Sequence, residues 1–440
     1  MSWEFETDEV FQAELDWIDA FVRTEVEPVD QLVSDPYDVG DLLRNELIRP
    51  LQRAVKQRGL WACHLSPRLG GRGYGQLKLA LMNEILGRSS SGPIVFGCQA
   101  PDSGNAEILA HFGTEDLKHR YLEPLLDGAI VSCFSMTEPQ GGTDPTQFRT
   151  RAELDGDHWV VNGEKWFSSN ARYAAFLIVM VVTDPDAPPH RRLSALVVPA
   201  DTPGVEIVRN VGAPGEPVGE GTHAYIRYHD VHVPADHMLG QPGEGFLVAQ
   251  TRLGGGRIHH AMRTVARVRW AFDAMCQRAL SRTTTRGERL ADQQMVQEMI
   301  ADSWIEIEQF RLLVLRTAWK IDRYEDYQLV RADISAVKAA MPKVYHDVAA
   351  RALQLHGSIG VSNEMPFGDM VIDSFRMGLA DGATEIHKVT LARQILGRYE
   401  PTEDLFPSYH VPRARHEARE RLGEVLERAE RTDAAERARP

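Results

Sequence analysis

FSMTEPQGGTDP, residues 134–145, divides the chain into two kinds of sequence. Before it the pattern is mostly helical; after it β-rich runs take over. The stretch combines hydroxyls, open backbone at Gly141 and Gly142, and an acid–proline turn at Asp144-Pro145. Backbone N–H groups and hydroxyls at that density suit the edge of a heterocycle and a ligand carbonyl or phosphate; an ordinary turn uses the same residues. A second segment, NGEKWFSSN (162–170), follows in the β-rich part. Trp166 and Phe167 can pack on a flat ring while Ser168 and Ser169 reach its edge. A strand with one buried side carries the same pattern.

Upstream, Leu42, Leu43, Leu47, Leu51 and Val55 recur at helical spacing, and Gly59 ends that run. Thr114 with Glu115 and Asp116 reads as a helix N-cap followed by first-turn acids. RLGGRGYG (68–75) has no strand before it and no GK[ST] after it, so it reads as a connection rather than a phosphate loop. Downstream, Asp155-Gly156 and Asn162-Gly163 are hairpin-type dipeptides. Around them lie HWVV (158–161), FLIVMVVT (176–183), LSALVVP (193–199) and AYIRYHDVHV (224–233), which predict a small antiparallel β-domain. Long helices return after it. One covers 301–322, with Trp304, Ile305, Ile307, Phe310, Leu312, Leu313 and Leu315 for a bundle face. Another covers 333–357 and is kinked or interrupted at Pro342. The Arg/Glu/Ala-rich end predicts a solvated, fraying helix.

The expected division is an N-terminal helical domain (1–130), a middle β-domain (131–240), a helical bundle (241–400) and a charged tail (401–440). That order is α+β, neither a Rossmann alternation nor a barrel, and places a cofactor where domains meet. The 440 residues suit roughly three domains. A net charge of -14 argues against a general nucleic-acid binder or a polybasic membrane-surface protein. Cys63, Cys98, Cys133 and Cys276 form no CxxC or zinc spacing. With an acidic N-terminus lacking a signal-peptide pattern, a reduced, cytoplasmic setting is expected. The longest apolar run, AAFLIVMVV (174–182), is too short to span a bilayer. His259-His260, His346 and His356 make no metal pattern.

Taken together, TEPQGGTD (137–144) and NGEKWFSSN resemble the flavin-contacting segments of the acyl-CoA dehydrogenases. FGTEDLKHRYLEPLLDG (112–128), ALQLHGSIGV (352–361) and LADGATEIHKVTLAR (379–393) resemble three more of that family's segments, in order, over residues 40–400. The resemblance implies an α-helical N-terminal domain, a β-barrel-like middle domain and a C-terminal four-helix bundle. It implies FAD, a homodimer or homotetramer, an acyl-CoA substrate in fatty acid metabolism, and an electron-transfer flavoprotein as acceptor. By position, Phe134, Met136, Thr137, Gly142, Thr143, Phe167 and Ser169 would line the isoalloxazine, with Thr143 also facing substrate. Arg282 and Gln293 would reach a neighbouring subunit's FAD, which Gln354 and Gly357 would also approach.

The implied chemistry is 1,2-dehydrogenation of an acyl thioester: a carboxylate removes the α-proton and a hydride leaves the β-carbon for flavin N5. The thioester oxygen then needs fixed donors. Two departures stand out. Where the family has Glu in a Tyr-Glu-Gly-Thr pattern, this chain has Ala380, Asp381, Gly382 and Ala383. Asp381 would be the base, with about 1.5 Å less reach; alternatively it caps the helix that follows. Some branches carry the base on another helix, and the aligned residue here is Gly256. Gly254-Gly255-Gly256 inside a predicted helix either marks tight packing or widens the acyl pocket for a bulky, branched or hydroxylated chain. Arg257 would contact pantetheine or phosphate. An Asp base is also similar to a kinase-fused branch linked with 4-hydroxyacyl-CoA and to nitroalkane oxidase. A silent flavoprotein or scaffold is the non-enzymatic alternative.

Overall fold

A computed structural model describes residues 7–214, 216–401, 405–407 and 409–438. Two compact units divide between Ala392 and Arg393. The first opens with helices α1 (Glu9–Phe21), α2 (Leu42–Arg58), α3 (Gln76–Leu86) and α4 (Asp102–Phe112). Asp41 opens α2 by accepting the Arg44 N–H at 2.6 Å, and Gly59, at φ +73°, closes it as the sequence predicts. The buried stripe of α2 differs from the predicted one. Arg44, Ile48, Gln52 and Val55 face inward, whereas Leu42 is 81% and Leu43 51% exposed. Two polar side chains go inside because they satisfy buried carbonyls: Arg44 Nε donates to Pro36 O and Gln52 Nε2 to Ile94 O. Thr114 caps the next short helix by accepting the Leu117 N–H.

Strands β1 (Val131–Ser135), β2 (Arg151–Asp155), β3 (His158–Lys165), β4 (Ala174–Val182), β5 (Leu193–Pro199), β6 (Val205–Val211), β7 (His223–Pro234) and β8 (Met238–Leu239) form one sheet. Its order is β6-β7-β3-β2-β4-β5-β8, with β1 on β4. The predicted antiparallel domain is a mixed sheet: β1 runs parallel to β4, and β2 meets β4 in parallel at Arg151–Val182. Chain continuity explains this, because β1 enters from the helices and not from a hairpin. Asp155-Gly156 does lie at the tight β2–β3 turn. Asn162-Gly163 does not; it sits inside β3, where the register against β7 shifts. A Cβ on Gly163 would lie 2.6 Å from Thr150 Cα, so glycine serves close approach of two strands rather than a turn.

Side chains of β4 alternate between two cores. Phe176, Ile178 and Met180 pack with Ile108, Leu109 and Leu117 of the helical segment. Leu177, Val179 and Val181 pack within the sheet against Val161, Ile226 and Val231. The helices that follow are α5 (Gly245–Ser281), α6 (Gln294–Tyr324), α7 (Arg331–His356), α8 (Phe367–Leu379) and α9 (Thr384–Leu396). Ile258, Met262 and Val265 of α5 share a seam with Phe310 and Val314 of α6 and Val337 and Met341 of α7. Helix α7 runs on through Pro342 without interruption. Trp304, Ile305 and Leu312, assigned to the bundle face from sequence, are about half exposed, because the inward stripe of α6 runs through Ile307, Phe310, Val314 and Ile321. Asp322 of α6 accepts the N–H groups of Gln76 and Leu77, so RLGGRGYG leads into a helix start held by a protein carboxylate. In the second unit, α10 (Val411–Arg437) buries no residue and carries i,i+4 pairs such as Arg413–Glu417 and Arg431–Glu427.

One ion pair joins the two segments singled out from sequence. Lys165 Nζ lies 2.9 Å from Glu138 Oε1, and both side chains are fully buried. Lys165 also donates to Met136 O, while Glu138 accepts the N–H groups of Arg149 and Thr150. Burial pulls the Lys165 ammonium down to about 8. Burial pushes the Glu138 carboxyl up, but Lys165 and the hydrogen bonds outweigh it, so the pair is ionised at neutral pH. Lys165→Met should leave Glu138 as an uncompensated buried charge and lower stability by about 3–5 kcal/mol. A denaturant midpoint equal to wild type would contradict this.

Candidate active site

The two segments meet as one wall. Trp166 N–H donates to Thr137 O at 2.8 Å, and the Ser135 and Ser168 hydroxyls lie 2.9 Å apart, with Ser135 also on Tyr228 OH. Phe134, Met136, Thr137, Gly142, Thr143, Trp166, Phe167 and Ser169 then line a cleft of about 1170 Å³. Phe167 is held at φ +59°, an uncommon conformation for an aromatic residue. Its ring stacks on His223, with centroids 4.0 Å apart, and the Ser169 hydroxyl lies 2.8 Å from His223 Nδ1. Burial pulls His223 down to about 4, so its ring is neutral. Arg252 from α5 lies over the Phe134 ring at 4.2 Å and donates to Asn105.

The opposite wall carries Asp381, in the short link between α8 and α9. Asp381 is left-handed at φ +55°, and Gly382 follows at φ +105°. A Cβ at Gly382 would lie 2.8 Å from His387 Nε2, so the turn requires glycine. Carbonyls fix this link: Lys338 of α7 donates to Met377 O and Ala380 O, both at 2.8 Å, and Arg257 Nε donates to Asp381 O at 3.3 Å. His387 Nε2 also lies 3.3 Å from Asp381 O. The carboxylate does not cap α9: among the described residues it accepts no backbone N–H. Its nearest charged-type neighbour is His260, with Nε2 3.8 Å from Oδ2, too long for a direct hydrogen bond.

Burial pushes the Asp381 carboxyl up, yet the groups around it pull it below its ordinary value. Burial holds His260 itself near 4, hence neutral. The cations that keep Asp381 ionised at neutral pH are therefore Lys338, Arg252 and Arg257. Burial also lowers Lys338 to about 8. Six arginines and two aspartates line the cleft of a chain whose net charge is -14, so the cleft is a local cationic field in an acidic protein.

The residues expected from sequence fall in two places. Those of the sheet wall, with Arg257 and Asp381, line the cleft. Gly256 lies on α5 beside Arg257, and a Cβ there would meet nothing within 4 Å; Gly255 instead packs on Gln76, and the side-chain position of Gly254 is outside the described residues. Arg282, Gln293, Gln354 and Gly357 do not line the cleft. Arg282 ends α5, roughly 37 Å along the axis from Arg257 at about 1.5 Å per residue. Sequence reading missed Lys338, His260, His387, Arg252 and His223. Only His387, inside the quoted LADGATEIH, carried a local signal; the others arrive from separate elements.

Three family descriptions match the chain. They are the N-terminal, middle and C-terminal domains of acyl-CoA dehydrogenase, over residues 9–129, 133–224 and 243–396. The chain belongs to the acyl-CoA dehydrogenase family. A Mycobacterium tuberculosis relative named "Probable acyl-CoA dehydrogenase FadE2" is 40% identical over 403 residues, 91% of this chain and 94% of the relative. Acyl-CoA dehydrogenase family member 11 of Gallus gallus is 36% identical over 384 residues, 85% of this chain but only 49% of that protein. The crystal structure of an acyl-CoA dehydrogenase from Geobacillus kaustophilus aligns with TM-score 0.76 at 27% identity, over 89% of this chain and all of that one. Family membership makes this chain an FAD-dependent oxidoreductase with the expected three-part fold. No helix among the described residues is long and apolar enough to cross a membrane, and they hold no His/Cys/Asp/Glu group arranged for a metal.

The residues present fit FAD. Aromatic and thioether faces are backed by hydroxyls, and Gly142 leaves open space where a Cβ would stand. The titrations above set a pH dependence. Asp381 is already ionised below neutral pH, whereas Lys338 loses its proton above about 8. The value of kcat/KM should be level through neutrality and fall above about pH 8. An acid limb centred near neutrality in the pH–rate profile would contradict this assignment.

Proposed function

We propose that this protein removes the α and β hydrogens of an acyl-CoA thioester, with Asp381 as the base. The observation that carries the reading is the Asp381 carboxylate: it is held in the cleft by its own backbone, leaves α9 uncapped, and is kept ionised by cations it does not pair with directly. Its oxygen takes the α-proton. The Asp381 N–H donates to no acceptor among the described residues, which leaves it for the thioester oxygen as that oxygen gains enolate character. When bound, FAD supplies the hydride acceptor at the β-carbon.

On this reading Phe134, Met136 and Phe167 pack on the ring system. The Thr137, Thr143 and Ser169 hydroxyls and the Gly142 backbone reach its edge, with Thr143 also facing substrate. Arg257, which holds Asp381 O, is the contact for pantetheine or phosphate. Arg282, Gln293, Gln354 and Gly357 are not among the residues lining this cleft, which fits their serving the cofactor of a neighbouring copy in a homodimer or homotetramer. An electron-transfer flavoprotein is the proposed acceptor. Gly256 is not itself among the residues lining the cleft but neighbours Arg257, which is, and the open space at its Cβ position leaves room for the wider acyl pocket we propose.

Anaerobic mixing of the holoenzyme with a panel of acyl-CoA thioesters should bleach the flavin. Asp381→Asn should retain FAD and slow bleaching by about 10²–10⁴-fold; bleaching at the wild-type rate would remove Asp381 from the mechanism. Gly256→Val should raise KM for branched acyl chains more than for straight ones of equal length. Strict preference of the wild type for short straight chains would refute the widened pocket.

A further inference from the structure

The cleft follows one face of α5 past Asp381. His260 faces the carboxylate, and Arg263 and Arg267 continue the same face one and two turns further on. Arg376 of α8 joins them, and Ser89 and Ser90 of the N-terminal helical segment also line the cleft. An arm built only for a hydrocarbon tail would be lined by apolar side chains. This one ends in three guanidinium groups.

Their hydrogen bonds leave donors to spare. Asp373 Oδ1 accepts Nε and Nη2 of Arg376, at 2.9 and 2.6 Å, and Oδ2 accepts Arg267 Nη1 at 2.6 Å. Arg267 Nη1 also meets Tyr345 OH. Arg263 gives Nε to Asn83 and Nη2 to Cys98 O. Arg267 Nε and Nη2, Arg376 Nη1 and Arg263 Nη1 have no partner among the described residues. Asp30, the other acid in this region, is taken up by the N–H groups of Ser90 and Ser91 and the Ser90 hydroxyl. The arm keeps an excess positive charge even with Asp30 counted.

We infer that this arm is a subsite for a carboxylate at the far end of the acyl chain, so that the preferred substrates are ω-carboxyacyl thioesters. Guanidinium donors in a half-buried arm match a carboxylate in charge and shape. The reach is set by α5. Arg267 lies about 10 Å along the axis from His260, which corresponds to a chain on the order of eight carbons. The inference rests on the acyl-CoA reading above and adds the class of acyl group.

Binding without turnover separates the two. In the Asp381→Asn holoenzyme, calorimetry would compare straight-chain acyl-CoA thioesters with ω-carboxy counterparts of equal carbon number. The ω-carboxy compound should bind about tenfold or more tightly near the matching length. Adding Arg267→Gln should remove that advantage and leave the plain thioester's Kd unchanged. Arg376→Gln gives the same comparison if Arg267→Gln loses FAD or fails to fold. Equal or tighter binding of the plain chain overturns the subsite, and so does an equal loss for both ligands, which would assign the arm to phosphates of CoA or FAD. Failure of every acyl-CoA to bind would overturn the acyl-CoA reading itself.

Discussion

The Glu138–Lys165 pair is the constraint on which the cleft depends. Two charges taken fully out of water are costly, and a hydrophobic pair of similar volume is often as stable. What this pair supplies is register. Glu138 holds Lys165 at the end of β3 and the N–H groups ahead of β2, while Lys165 holds the carbonyl of Met136. The loop from Met136 to Thr150 is thereby closed on itself just ahead of β2 and tied to Lys165 of β3, and the aromatic, hydroxyl and glycine groups of both segments face one space. Shifting either strand by one residue would turn those side chains to the other face of the sheet.

Electrostatics on the helical side follow from a comparable economy. Asp381 is placed by hydrogen bonds to the carbonyls around it, not by bonds to its carboxylate. Lys338, Arg257 and His387 grip the link between α8 and α9, and the carboxylate is left available. The field of Lys338, Arg252 and Arg257 keeps it ionised. A carboxylate held this low is a weak base in an open cleft, and desolvation is the one influence here that raises it. Under the proposed function, an acyl chain filling the cleft would expel water and so move the carboxylate toward the basicity that proton abstraction requires.

Legibility varied with the distance over which each interaction acts. The Gly59 stop, the Thr114 cap and the Asp155-Gly156 turn are settled within a few residues, and each was readable. Asn162-Gly163 carried a hairpin signal but serves a register shift, because the same glycine satisfies close strand approach. Leu42 and Leu43 looked like core, yet Arg44 and Gln52 took the buried positions by finding carbonyls that no local pattern reveals. His260 and Lys338 were silent for the same reason: their partners lie across helix packing.

By itself the sequence determined the order of helical, β and helical segments, the two motifs that line the cleft, and a carboxylate at residue 381 in the link before a helix. These follow from periodicity and short-range backbone chemistry, which a linear reading contains. Tertiary structure alone decided that Asp381 is free and not a cap, that arginines from α5, α7 and α8 converge on the cleft of an acidic protein, and that Arg282 lies far from it. Burial, desolvation and charge proximity are properties of packed elements, and they exist only once helices distant in the chain share one space.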